Sequence, residues 1–265
     1  MQLTFLSLAI CTQIYAQDTT ETSANKDQDI QKLKTIVVTA SRSAQSIADI
    51  AGTVYRIDHE QIEQQAAAGK SIADILAILV PSLTASSGTT SNYGMTMRGR
   101  VVQYMIDGVP QTGYRDGSRQ LNSISPAMID RIEVVSGASS IYGSGATGGI
   151  INIITKSGGE DALNFETKLG LSSGNNIKSD AMTYEVSQTM SFNQNALKGS
   201  LGASYATRGE NQDSHGDRIG PEVAQTDRQD TETLDVNGRI TWKMTDQQSL
   251  SIGAQYYNDE QDSEY

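Results

Sequence analysis

Few side chains in this 265-residue chain could do covalent or redox chemistry, and their spacing disqualifies most of them. The two histidines, His59 and His215, have no Cys or His companion at ligand spacing, so no metal site is expected. Two scattered histidines cannot complete a Ser/His/Asp arrangement either. The single cysteine, Cys11, lies in an apolar N-terminal run and leaves the rest of the chain without thiol chemistry. Asp107, Asp130 and Glu133 are not spaced as a catalytic carboxylate pair. Gly143-Ser144-Gly145-Ala146-Thr147-Gly148-Gly149 precedes a strand, whereas a phosphate loop must lead into a helix N-terminus. These glycines read as close backbone packing in a tight turn. Neither an enzyme nor a bound cofactor is expected.

Composition narrows the remaining classes. A formal net charge of −11 argues against nucleic-acid binding, which needs a Lys/Arg surplus facing phosphate. Past the N-terminus no window is long and apolar enough to span a bilayer as a helix. A β-barrel is not excluded, because alternating strands average out as polar. Met1 to Ala16 reads as a secretory signal cleaved after Ala16, and the polar residues 17–34 read as a disordered segment.

Two textures follow. Thr35 to Ser157 is a compact α+β zone. Thr35-Ile36-Val37-Val38-Thr39-Ala40 and Thr53 to Ile57 are β-prone. Asp58 caps a helix over about Glu60 to Ala67, ended by Gly69. A second helix runs from Ile72 to Leu79, with Ile72, Ile75, Leu76 and Leu79 at helical spacing and Pro81 as its stop. Met95 to Arg98, Val101 to Ile106, Ile132 to Val135 and Ile150 to Thr155 read as strands, with Asp107-Gly108 as a turn. From residue 158 the period changes to two. Leu163 to Leu171, Met182 to Phe192, Leu197 to Tyr205, Leu234 to Trp242 and Leu250 to Tyr256 alternate apolar with polar residues. Their breaks are short at 193–195 and 245–248 and long from Arg208 to Thr233. Short turns at one end and a long loop at the other fit a transmembrane barrel, and a soluble sheet with one wet face is the alternative.

The motifs now fall into a known order. Thr35 to Ala40 resembles a TonB box. Ser71 to Leu83 resembles a plug helix, with Ser82 where the pattern has Gly. Met97-Arg98-Gly99 and Met105-Ile106-Asp107-Gly108-Val109-Pro110 follow. Ile129-Asp130-Arg131-Ile132-Glu133-Val134-Val135 and Tyr142 to Lys156 complete the series. Through these segments the chain resembles the TonB-dependent outer-membrane receptors of Gram-negative bacteria. Asn92-Tyr93-Gly94-Met95, Ser118-Arg119-Gln120-Leu121 and Gln255-Tyr256-Tyr257 resemble the branch that takes up ferric aerobactin. Ser136 and Ala138 depart from the Arg and Pro that most relatives carry around Gly137.

The resemblance implies an α+β plug domain, residues 41–157, followed by antiparallel strands of an incomplete transmembrane β-barrel, residues 158–265. About five strands stand where such transporters have about 22, so the chain reads as the N-terminal part of a receptor, with an inactive truncated remnant as the alternative. The implied location is the cell outer membrane, in contact with its lipid. The implied partners are TonB, pairing with Thr35, Ile36, Val37, Val38 and Thr39 by strand addition, and a ferric siderophore, a hydroxamate chelate or another class. Iron enters already chelated, so the protein itself supplies no metal ligand. Ligand contact falls on two apices, Ser86 to Tyr93 and Gln111 to Arg119. Arg115 and Arg119 offer planar multi-donor contacts to an anionic chelate, and Tyr93 and Tyr114 add rigid faces with polar tips. Arg98 and Arg131 are the expected latch between plug and barrel wall.

Overall fold

The computed structural model describes residues 37–38, 45–46, 53–111, 117–137, 145–173, 179–220, 228–245 and 248–262. The expected signal, the segment 17–34, Thr35, Ile36, Thr39, Tyr114 and Arg115 lie outside them. Strands β1 (Val37–Val38) and β2 (Gln45–Ser46) form a two-residue antiparallel ribbon.

An α+β domain follows: β3 (Thr53–Asp58), α1 (His59–Ala67), α2 (Ile72–Leu79), β4 (Val102–Ile106), β5 (Val109–Pro110), β6 (Ile129–Ser136) and β7 (Gly149–Thr155). Its sheet has the order β3-β6-β7-β4-β5, antiparallel except for the β4–β7 pair. Every residue of β7 is buried, which is why Gly149-Ile150-Ile151-Asn152-Ile153-Ile154-Thr155 is nearly continuous in β-branched residues rather than alternating. α2 starts where a capping box forces it to. Ser71 Oγ accepts from Asp74 N, and Asp74 Oδ2 accepts from Ser71 N, each at 3.2 Å. Its apolar stripe, Ile72, Ile75 and Leu76, packs with Ile62 of α1 and Ile132 and Ile151 of the sheet in the main core.

One expected strand is missing. Met95 to Arg98 makes only isolated bridges, Leu83 with Met97 and Met97 with Arg100. Arg98 (φ 52°) and Gly99 (φ 74°) both adopt the left-handed region, so the chain reverses in two residues and the ladder cannot extend.

The second sheet is an antiparallel meander in the order β12-β11-β10-β9-β8. Its strands are β8 (Leu163–Ser173), β9 (Met182–Gln194), β10 (Leu197–Arg208), β11 (Thr231–Lys243) and β12 (Ser249–Gln261). They hold 11 to 13 residues each, enough for tilted strands to cross a bilayer. Leu169, Leu171, Leu201, Ile240 and Ile252 point outward and are exposed. Ser187, Thr189, Ser200, Ser204, Asp235 and Asn237 point inward and are buried. Among the described residues the sheet does not close, and β8 and β12 are its edges.

Candidate functional site

The polar inner face of the meander is buried because the α+β domain lies against it. Ser125 N donates to Asp235 Oδ2 at 2.7 Å, Ser125 Oγ to Ser204 Oγ at 3.2 Å, and Gln255 Nε2 to Ser123 O at 2.8 Å. Ser200 Oγ donates to Lys156 O. Met128 sits over Gly202 and receives a 3.9 Å contact from Thr189 Oγ1. A side chain at Gly202 would meet the Met128 sulfur, so this glycine lets the domain approach the wall.

Asp107 ties three elements together. It holds φ 51°, which an Asp tolerates better than most residues, and Gly108 follows at φ 80°. Asp107 Oδ1 accepts from Thr155 N at 2.9 Å and Oδ2 accepts from Thr155 Oγ1 at 2.8 Å. The same Oδ2 lies 2.5 Å from Arg239 Nη2 of β11. The sequence marked Asp107 correctly as a turn former but gave no sign of Arg239. Residue 239 is nearer the short-turn end of β11, whereas Asp235 and Ser204, which hold Ser125, are nearer the long connection 209–230.

A second cluster joins α1 to β8. His59 Nδ1–H donates to Ile129 O at 2.6 Å, while Nε2 faces Glu63 Oε1 at 2.6 Å and Glu166 Oε1 at 3.6 Å. These three residues bring their ligand-type atoms within 4.8 Å of one another. Two lysines already occupy the carboxylates: Lys156 Nζ lies 2.8 Å from Glu166 Oε2, and Lys168 pairs with Glu63 and, at 3.3 Å, with Glu166. The arrangement is therefore an interfacial ion network with its charge balanced internally. Burial first, then Lys156 and Lys168, hold the His59 imidazole below its ordinary value. Glu63 stands one helical turn from His59, a signal present in the sequence; Glu166 enters only through the fold.

The two expected apices are bonded to each other. Asn92 Nδ2 donates to Ser118 O at 3.3 Å, Ser118 Oγ to Ser91 O at 3.2 Å, and Asn122 Nδ2 to Thr90 O at 2.7 Å. Asn92 and Ser118 are buried, whereas the residues that follow them, Tyr93 and Arg119, are exposed. The segment 117–122 runs directly into Ser123 and Ser125, which touch the wall on the side of the long connection.

The glycine turn behaves as its sequence suggests. A Cβ on Gly148 would lie 2.7 Å from Arg100 O and 3.0 Å from Met97 O and Val101 O. Arg131 pairs within its own strand region, with Asp130 Oδ2 at 2.6 Å and the buried Glu133 Oε1 at 2.9 Å. Burial pulls its guanidinium down, but Asp130 and Glu133 more than offset this and hold it above its ordinary value. Arg98 is exposed in its two-residue turn. Among the described residues the ion pairs between domain and wall are made by Asp107, Glu63 and Lys156, with Arg239, Lys168 and Glu166.

Residues 46–150 match the TonB-dependent Receptor Plug Domain family. The chain is 39% identical over 232 residues to the ferric aerobactin receptor of Klebsiella pneumoniae, covering 88% of this chain and 31% of that protein. It is 37% identical over 245 residues to the rhizobactin receptor of Rhizobium meliloti, covering 91% of this chain and 33% of that one. It thus spans about a third of the length of the curated relatives it matches. Among solved structures, the alcaligin outer-membrane receptor of Bordetella pertussis superposes with a TM-score of 0.62 at 16% identity, over 85% of this chain and 35% of that one, a likeness of fold.

Proposed function

The chain belongs to the TonB-dependent outer-membrane receptors, and from that premise we propose that it serves the uptake of a ferric siderophore, ferric aerobactin or a similar hydroxamate chelate. Its relatives are transport receptors, not enzymes. The observation that carries the reading is the joining of the two plug apices, on the side of the long barrel connection, with Tyr93 and Arg119 exposed upon them.

In this reading the ferric chelate arrives from outside and meets the apices. Arg119 and Arg115 donate to its carboxylate and hydroxamate oxygens, and Tyr93 and Tyr114 pack flat against its carbon skeleton. The chain needs no ligand of its own for the iron, because the chelate keeps it. On the periplasmic side, TonB adds a strand to Thr35, Ile36, Val37, Val38 and Thr39. The ribbon of Val37–Val38 with Gln45–Ser46 supports this, since two residues per strand hold little energy and exchange readily for a longer partner. Outer-membrane lipid covers the outward apolar face of the barrel strands.

Growth under iron limitation, with ferric aerobactin as sole iron source, tests the proposal. The strain carrying the intact gene should grow, and the double substitution Arg115→Ala with Arg119→Ala should reduce uptake at least about tenfold, the loss of two charge-assisted contacts. Unchanged uptake in the double variant overturns the assignment of these arginines. Growth on a different chelate alone moves the substrate to that class.

A further inference from the structure

We propose that Asn92 and Ser118 are positioning residues that fuse the two plug apices into one ligand-facing surface and thereby set which chelate fits. The proposal rests on the receptor reading above and deepens it.

The apices are separate in sequence and each is short in regular structure, so something must fix their relative placement. Asn92 does this from a constrained position. Its φ of 49° puts it in the left-handed region, where Asn is among the few side chains tolerated. It is 1% exposed, and its amide is used on both sides: Nδ2 donates to Ser118 O, and Oδ1 accepts from Ser86 Oγ at 3.4 Å within its own loop. Ser118, fully buried, returns a bond to Ser91 O. The two loops are therefore bonded in both directions across the gap, Asn92 to the backbone of Ser118 and Ser118 to the backbone of Ser91, a side chain donating to a carbonyl each time.

The residue after each anchor is the one that faces out. Tyr93 is 62% exposed, and Arg119 is exposed on the other loop. A buried anchor immediately before an exposed Tyr, bonded to a buried anchor immediately before an exposed Arg, couples the placement of the two exposed groups. A rigid aromatic face and a guanidinium held in fixed relation recognise a carboxylate-bearing anionic chelate better than either does alone, because less side-chain and loop freedom is lost on binding. Asn122 Nδ2 on Thr90 O adds a third tie in the same seam.

The substitution Asn92→Gly isolates this role. Glycine keeps the left-handed backbone without strain and removes only the amide. The receptor is examined in outer membranes with ferric aerobactin and with one hydroxamate and one catecholate competitor. Equilibrium affinity for ferric aerobactin should fall about tenfold and discrimination between the chelates should narrow, while the transport rate at saturation stays near wild type. Asn92→Asp, which keeps the acceptor and loses the donor, should fall between the two. Hydrogen exchange without ligand is the second measurement: Asn92→Gly should speed exchange in 117–122 as well as in 86–94. Faster exchange confined to 86–94, or affinity and discrimination unchanged, overturns the proposal. If the wild type shows coupled exchange but binds none of the three chelates, the receptor reading fails and the positioning role fails with it, an outcome distinct from uncoupled loops around a working site.

Discussion

The plug and the barrel strands each build a five-stranded sheet, and the two solve opposite problems. The plug sheet is covered on both faces, so β7 is apolar nearly throughout and Ile151 is fully buried. The barrel sheet turns its apolar residues away from the protein: Ile240 is 52% exposed and Ile252 67%. Its polar residues are the buried ones, and Asp235 has no exposure at all. The difference lies in the solvent. Water drives apolar groups into the plug core, whereas in the proposed receptor lipid would accept them on the outer wall and leave the inner wall free to hydrogen-bond the plug. In that reading an exposed isoleucine on these strands is a correctly placed residue.

The same residue type at the two places should behave differently. Ile151→Ala should cost the plug about 2–5 kcal/mol, lost apolar burial plus a cavity, and expose it to protease while the barrel strands still insert. Ile240→Arg should leave plug packing alone and cost about 2–4 kcal/mol if the site lies near the bilayer midplane, read as reduced insertion into lipid vesicles. Equal effects of both substitutions on plug proteolysis would break the contrast.

The seam between the sheets gives the next test. Asp107→Asn keeps a side chain that tolerates φ 51° but leaves Arg239 without its carboxylate. A loss of about 2 kcal/mol in plug retention is expected, the value of a charge-assisted hydrogen bond. A double-mutant cycle with Arg239→Gln should show coupling between the two. Additive losses would mean that the pair does not hold plug to wall.

The smallest effect concerns pH. The folded protein holds His59 below its ordinary value near 6.5, so the unfolded chain binds more protons in that interval. Stability therefore rises as pH climbs from the lowered value to about 6.5, and is complete above it. His59→Gln should flatten this rise in thermal unfolding followed from pH 5 to pH 8. An unchanged slope would assign it to other groups.

Much of this was legible locally. The helix from Ile72 to Leu79 follows from a capping box, a helical stripe and Pro81, all within a few residues of one another. The five barrel strands follow from a period of two, which survives any tertiary arrangement because successive side chains must point to opposite faces. The failure at Met95 to Arg98 is also local: two consecutive left-handed residues made a turn where apolar spacing suggested extension.

The sequence by itself determined most of the elements, the plug motifs and which strand residues face away from the plug, because these depend on neighbours along the chain. Tertiary structure alone decided that Asp107 meets Arg239, that Glu166 closes on His59 and that Asn92 and Ser118 join two apices into one surface. Each of those contacts joins residues far apart in the chain, so no periodicity or local motif encodes it. It exists because a buried polar group must find a partner wherever the packing brings one.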